Sequence, residues 1–200
     1  QFRVQAFEDS LTGVQNRNAF TRHMNALLSK TATSDEGYVI LIRLAQLNAI
    51  NMTLGAQDGD KYVTGVAEEL KNFSSSIQET SFLFRVSGAD FVLVTEAMTK
   101  QECEAHLQEL NTTLSHYNPL KDGSKAVWIG AAQFNDQQSF SEIMENADSA
   151  LMAATKQPNG WQFASELTYI HSNTAWKERL NQVLEQQYAD ILIQPVMNVE

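Results

Sequence analysis

The chain has 200 residues, 14 basic against 24 acidic, and a formal net charge of −10; its 43% hydrophobic and 19% charged residues are those of a globular protein, not a disordered one. That length holds one domain of ordinary size and about thirty to fifty residues more. The acidic balance, with no Lys/Arg cluster, argues against nucleic acid or anionic lipid as a partner, the single Cys103 excludes an internal disulfide and fits a reducing cytoplasm, and no apolar run approaches the roughly 18 residues of a membrane span.

QFRVQAFED reads as the tail of a helix entering from upstream, with Phe2, Ala6 and Phe7 on one side, so the chain is expected to be a piece of a longer protein. LTGVQNR breaks that helix, and NAFTRHMNALLSK places Phe20, Met24, Leu27 and Leu28 at helical spacing. YVILIRL (38–44) is a near-continuous apolar run, the mark of a strand covered on both faces. AQLNAINMTL predicts a short helix ending at Gly55, and DGDKYVTGVAEELKNF a longer one with Tyr62, Val66, Leu70 and Phe73 inward. FRVSGADFVLV (84–94) is a hairpin pattern, two β-prone runs about a polar turn with Gly. A helix around Cys103 follows, where the residue is expected to be a plain half-buried thiol. AVWIGAAQF then reads as a strand and SFSEIMENADSALMAATK as a helix. Ser139 and Glu142 form a capping box there, and Phe140, Ile143, Ala147, Leu151 and Ala154 a buried stripe. WQFA is a short edge strand. Helices alternating with strands plus one hairpin imply an α/β fold, a mixed central β-sheet flanked by helices. SELTYIHSNT then precedes a new helix (AWKERLNQVLEQQ) and strand (ADILIQPV), placing a domain boundary near 165–172.

Generic chemistry is sparse. No phosphate-cradling Gly-rich loop with Lys-Ser/Thr and no zinc-type Cys/His spacing occurs. His23, His106, His116 and His171 are scattered and read as surface or cap residues. QDGD (57–60) lacks the spaced oxygens and final Glu of a calcium loop, and acidic groups at a helix start are the better account. No cofactor and no metal site is expected.

Three phrases carry more: DSLTGVQNRNAF (9–20), LIRLAQLNAINMTLGAQDGD (41–60) and FRVSGADF (84–91) occur in order and at the right distances. Together they resemble the GGDEF family, the diguanylate cyclases that join two GTP molecules into cyclic di-GMP, over roughly residues 7–165. The most specific part is Asp9, Leu11, Thr12, Gly13, Asn16 and Arg17. The resemblance implies a nucleotidyl-cyclase-like fold with its signature turn at Ser87, Gly88, Ala89, Asp90 and Phe91. It also implies that two metal-binding carboxylates are replaced, one by Arg43 and one by Ala89, and that the phosphate-contacting Lys is replaced by Asn48. No catalysis is then expected, because two-metal phosphoryl chemistry needs those carboxylates. The guanine-reading Asn and Asp match Asn51 and Asp60. These are either a relic GTP site or helix-terminal hydrogen-bonders near Gly55, and without metal and phosphate contacts the second is favoured. The family's inhibitory product site matches Gln78 and Ser81, which should not hold cyclic di-GMP.

WKERLNQVLEQQYADILIQPV (176–196) resembles the opening of an EAL domain, the family of cyclic di-GMP phosphodiesterases and receptors, in which Gln194 would lie at the ligand. The organisation expected is therefore 1–8, end of an upstream signalling helix; 9–165, a degenerate GGDEF domain; and 166–200, a linker helix and the first helix and strand of an EAL domain. The combination is most similar to the LapD type of inner-membrane receptor, which binds cyclic di-GMP in a catalytically dead EAL domain and restrains a periplasmic protease, an inside-out control of biofilm adhesion. It implies a cytoplasmic, non-enzymatic relay in contact with the EAL domain and the upstream helix, in a homodimeric parent. The rival expectation is a GTP-sensing domain that activates a downstream phosphodiesterase.

Overall fold

The apolar run at 38–44 becomes the centre of the sheet. In the computed structural model, which describes residues 6–29, 37–77, 80–135 and 137–164, β1 (Gln15–Asn16) leads into α1 (Arg17–Leu28), followed by β2 (Gly37–Leu44), α2 (Leu47–Thr53) and α3 (Ala56–Ser76). The hairpin β3 (Ser81–Arg85) and β4 (Asp90–Thr95) comes next, then α4 (Lys100–Leu114), β5 (Val127–Phe134), α5 (Phe140–Ala154) and β6 (Trp161–Phe163). The six strands lie in the order β1-β3-β4-β2-β5-β6. β1–β3 and β5–β6 pair parallel and the other pairs antiparallel, so the sheet is mixed.

Alternation along β2 divides the core. Tyr38, Ile40, Ile42 and Leu44 pack under α2, α3 and α4 with Ile50, Leu70 and Leu107, whereas Val39 and Leu41 face Phe20 and Met24 of α1 and Ile143 and Leu151 of α5. Both faces of the strand are apolar because both are covered by helix. Cys103 belongs to the first layer and is fully buried, not half-buried as expected, and burial pushes its thiol far up.

Helix boundaries follow local chemistry. Asn16 caps α1, its side chain accepting from the backbone of Asn18 at 3.0 Å and Ala19 at 3.2 Å. The capping box at Ser139 and Glu142 opens α5, and a second one, Thr99 with Glu102, opens α4. Gly55 has φ +96°, a conformation that favours glycine. It ends α2 and lets α3 begin at once, two residues before the DGD phrase that the sequence suggested. Asp58 sits in the first turn of α3, where a carboxylate suits the helix dipole.

The chain divides into two units, Gln1–Ser165 and Glu166–Glu200. The expected linker helix and EAL-like opening, with His171 and Gln194, lie outside the described residues, as do Gln78 and residues 1–5 of the entering helix. Residues 6–8 form a turn and an isolated bridge from Glu8 to Gln15 instead of helix. The Asn16 side chain holds them there, donating to the carbonyls of Ala6 at 3.1 Å and Glu8 at 3.3 Å. Among the described residues no helix is long and apolar enough to cross a membrane.

The contact of α5 with the sheet depends on Gly130 in β5. A Cβ there would lie 2.6 Å from Leu151 Cα and 2.7 Å from the Ala147 carbonyl oxygen, both backbone atoms of α5. Gly130→Ala is therefore expected to destabilise the domain by about 3 kcal/mol through overpacking, read as a lower urea midpoint at unchanged slope.

Candidate functional site

The turn between β3 and β4 is organised by its own polar atoms. Ser87 Oγ accepts from the backbone of Ala89 at 3.3 Å and Asp90 at 3.1 Å, and donates to Asp90 Oδ2 at 2.8 Å. The Ala89 carbonyl accepts from Leu44 N at 2.8 Å, while its methyl group packs on the α2–α4 layer. Gly88 has space around it for a Cβ and no positive φ, so neither sterics nor backbone demands glycine there. Phe91 is fully buried.

The β2–β4 register sets Arg43 directly opposite Asp90. Arg43 Nε donates to Asp90 Oδ1 at 2.7 Å and Nη2 to Oδ2 at 3.4 Å, and Nη2 also lies 3.7 Å from Asp148 Oδ1 on α5. The hydrogen bonds that Arg43 donates to Asp90 raise the already high pKa of the guanidinium, against a smaller opposing effect of burial. This group borders a cleft of about 540 Å³ between α1 and α5, walled by Phe20, Leu41, Phe140 and Met144. Asp148 carried no signal in the sequence reading: it lies 105 positions from Arg43 in the chain, and only the packing of α5 across β5 and β2 brings the two together.

A second guanidinium ties the leading phrase to the turn. Asp9 Oδ1 accepts from Thr12 N at 3.0 Å, Thr12 Oγ1 at 2.7 Å and Arg85 Nη1 at 2.8 Å. Arg85 also donates to the Gly88 carbonyl at 2.8 Å and lies over the Phe91 ring. Its side chain is only 10% exposed, and it too went unread in the sequence, although it immediately precedes the turn. Arg17 is exposed and lines both the large cleft and a smaller one, of about 320 Å³, beside Asp9 and Gly88.

The other candidates lie apart from this cluster. Asn51 and Asp60 are exposed on α2 and α3, and neither side chain hydrogen-bonds to any of the described residues. The helix-terminal hydrogen-bonding role favoured from the sequence is therefore not what they perform: Gly55 begins α3 without a side-chain cap. The Asn51 amide lies against Gly59, where a Cβ would come within 2.9 Å of its Cγ. Asn48 is exposed in the first turn of α2. Ser81 is engaged with the end of α3, its hydroxyl 2.7 Å from Ser74 Oγ and donating to the Ser74 carbonyl at 2.9 Å. His23 is half-buried, not a surface residue, with its ring 4.2 Å from that of Phe82; His106 meets the Phe73 ring edge-on, and His116 is exposed. Among the described residues no group of three or more His, Cys, Asp or Glu side chains is placed to hold a metal ion.

The Asp9 carboxyl has a calculable acid dependence. Burial acts to raise its pKa, but the hydrogen bonds from Thr12 and Arg85 outweigh burial and hold it below its ordinary 3.8. A carboxyl lowered in the folded state contributes stability that is complete above its unfolded pKa and is lost as the pH falls through the folded one. Asp9→Asn should cost about 2 kcal/mol at pH 7, the scale of hydrogen bonds to a charged group. The difference from wild type should shrink as the pH drops below 3.8; denaturant melts at neutral pH and near pH 3 give the comparison.

Residues 6–160 match the family model described as diguanylate cyclase, GGDEF domain. The cyclic di-GMP phosphodiesterase NbdA of Pseudomonas aeruginosa is 26% identical over 204 aligned residues, covering 98% of this chain and 25% of that protein. Two solved structures under 25% identical share the fold. The coiled coil and GGDEF domain of DgcB from Caulobacter crescentus, in complex with c-di-GMP, superposes with a TM-score of 0.73 at 23% identity over 82% of this chain and 88% of that one. The apo S helix-GGDEF-EAL segment of Vibrio cholerae LapD gives 0.71 at 21% identity over 94% and 44%. The chain spans about a quarter of the length of the curated relatives it matches. By its fold, its leading phrase anchored at Asp9, its β3–β4 turn and the match over 6–160, this chain belongs to the GGDEF family.

Proposed function

We propose that this is a catalytically inactive GGDEF domain that relays and restrains: it holds an adjoining EAL domain in an autoinhibited arrangement until cyclic di-GMP binds there. In this reading residues 1–8 end an upstream signalling helix, 9–165 form the relay, and 166–200 open the EAL domain with Gln194 at its ligand. The parent is a homodimeric inner-membrane receptor of the LapD type, with this domain in the cytoplasm and its output a periplasmic protease that controls biofilm adhesion.

The observation that carries the reading is the Arg43 guanidinium bonded to Asp90 and beside Asp148 where the family keeps a metal carboxylate. These residues do not fit a divalent ion. Asp90 already accepts from Arg43 and Ser87, Ala89 offers a methyl group turned to the core, and a cation arriving beside Arg43 meets like charge. At ~4 Å and an effective dielectric near 20 each unit of charge product is worth roughly 4 kcal/mol, so an arginine in place of the carboxylate moves the energy of a divalent ion there unfavourably by more than that. Ser81, engaged with Ser74, offers no carboxylate to a product nucleotide. The likeness of fold to the LapD S helix-GGDEF-EAL segment supports the proposed arrangement.

A second reading draws on Asn51 and Asp60, exposed and uncommitted, and on the similarity to NbdA over 98% of the chain. There the domain senses GTP through those two side chains and activates a phosphodiesterase. The chain incubated with GTP and Mg²⁺ or Mn²⁺ should yield no cyclic di-GMP by chromatography, and calorimetry should find GTP binding weak or absent. Product would overturn the inactive assignment. Micromolar GTP affinity that vanishes in Asp60→Ala would promote the second reading.

The restraint itself is tested on a longer chain that includes the whole EAL domain. It should bind cyclic di-GMP, and Gln194→Ala should weaken that binding. Removing the GGDEF domain should tighten it, because a closed population lowers apparent affinity by the competent fraction. Equal affinities of the EAL domain alone and of the tandem would remove the autoinhibitory role.

A further inference from the structure

The end of α4 and the start of β5 enclose a cleft of about 370 Å³ that shares no residue with the two clefts at the β3–β4 turn. Asn111 lines it from the last turn of α4, His116 from just beyond, and Lys121 and Lys125 from the loop that leads into β5. No carboxylate of the described residues lines it, in a chain with 24 acidic and 14 basic residues. Arg43, Lys61, Lys71 and Arg85 each lie 2.7–2.9 Å from a carboxylate. Lys121 and Lys125 make no side-chain hydrogen bond or ion pair with any of the described residues, although Lys125 is half-buried. A lysine drawn into the surface without a partner is unusual.

The walls are fixed. The Lys125 carbonyl accepts from Gln46 Nε2 at 3.4 Å, and the Ala126 carbonyl accepts from Ala45 N at 2.9 Å and from the buried Tyr62 hydroxyl. Within the loop, Asp122 Oδ1 accepts from Asn118 Nδ2 and from Ser124 N, both at 3.0 Å, so the one acidic group between the lysines is held by the loop itself. The dipole at the end of α4 favours cations, but it does not hold these. The carbonyls of Asn111, Thr112 and Leu114 already accept from Ser115 N, Ser115 Oγ and Tyr117 N.

We propose that this cleft is an anion site for a phosphate group, held by Lys121 and Lys125 with His116 and the Asn111 amide as further donors. Two ammonium groups match the charge of a phosphate dianion, and charge-assisted bonds of this kind are the strong ones. The imidazole and amide N–H groups serve the remaining oxygens. A concave site with two lysines suits one small anion, whereas a nucleic-acid strand or an anionic bilayer calls for an extended row of cations. The cleft presents no Phe, Tyr or Trp face on which a nucleobase could stack, so the phosphate is the recognised group.

The test titrates the chain with inorganic phosphate at neutral pH, with sodium chloride holding the ionic strength constant, and follows the backbone amide resonances. Saturable shifts are expected at Gly123, Ser124 and Lys125, and across the cleft at Ser115 and His116, with a midpoint of about 1 mM or below. Lys121→Ala and Lys125→Met, the second keeping the aliphatic stem, should each weaken binding about tenfold, and the double variant should abolish it. Ribose 5-phosphate, titrated in parallel, separates the sources: tighter binding than inorganic phosphate means an ester, weaker binding the free ion. A wild-type titration without saturation overturns the proposal whatever the variants do. So do shifts that sodium chloride alone reproduces, and shifts that persist in the double variant. A tetraglutamate peptide that binds the cleft where phosphate does not overturns it in favour of an acidic protein segment. None of these readouts depends on catalysis or on what the domain relays.

Discussion

The register between β2 and β4 sets everything at the turn end of this domain. Ile40 faces Leu93, Ile42 faces Phe91, and Arg43 faces Asp90. β2 is covered by helices on both sides, so a slip of one residue would carry Ile40 and Ile42 into the α1–α5 layer and Val39 and Leu41 into the other. Side chains of alternate residues point to opposite faces, which makes such a slip costly along the whole strand. Arg43 is consequently held opposite Asp90, with Asp148 of α5 as its second carboxylate. The bond from Leu44 N to the Ala89 carbonyl closes the same corner from the backbone side.

The two halves of the nucleotide site that the family resemblance assigns have followed different courses. At the β3–β4 turn every charged group is engaged: Arg43 with Asp90 and Asp148, Arg85 with Asp9. At the α2–α3 corner Asn51 and Asp60 are exposed and their side chains make no hydrogen bond among the described residues, the Asn51 amide lying against Gly59, beside an 88%-exposed Met52. Polar atoms that satisfy one another have no bond left to give, while exposed ones without a hydrogen-bond partner keep theirs. The difference is one of hydrogen-bond commitment, visible without reference to any relative.

Local order was legible in the sequence and long-range pairing was not. The apolar run at 38–44, the hairpin pattern at 84–94 and the Ser139–Glu142 capping box are each written within a few consecutive residues, and the structure has all three elements. The same local pattern stands in the letters at Thr99 and Glu102 and caps α4. Arg43 and Ala89 were singled out by their place in matching phrases, but their partners could not be. Arg85 meets Asp9 across 76 positions, and nothing in FRV marks that arginine as more than a strand residue. Cys103 looked half-buried because α4 carries polar residues on most sides of it; its complete burial depends on β5 and α3 closing over the helix. The capping role expected of Asn51 and Asp60 failed for a backbone reason, since Gly55 at φ +96° turns the chain into α3 without help from a side chain.

Arg85 gives the domain a mechanical property. One nearly buried guanidinium joins the Asp9 carboxylate, the Gly88 carbonyl and the face of Phe91. Asp9 is in turn fastened to Thr12, and the peptide just before it to Asn16 at the head of α1. The entry of the chain, the tip of the hairpin and the first helix therefore form one stiff corner instead of three independent surface loops. The segment at residues 6–9 and the hairpin tip are thus one side chain apart, and a displacement of either must stretch or break the bonds of Arg85.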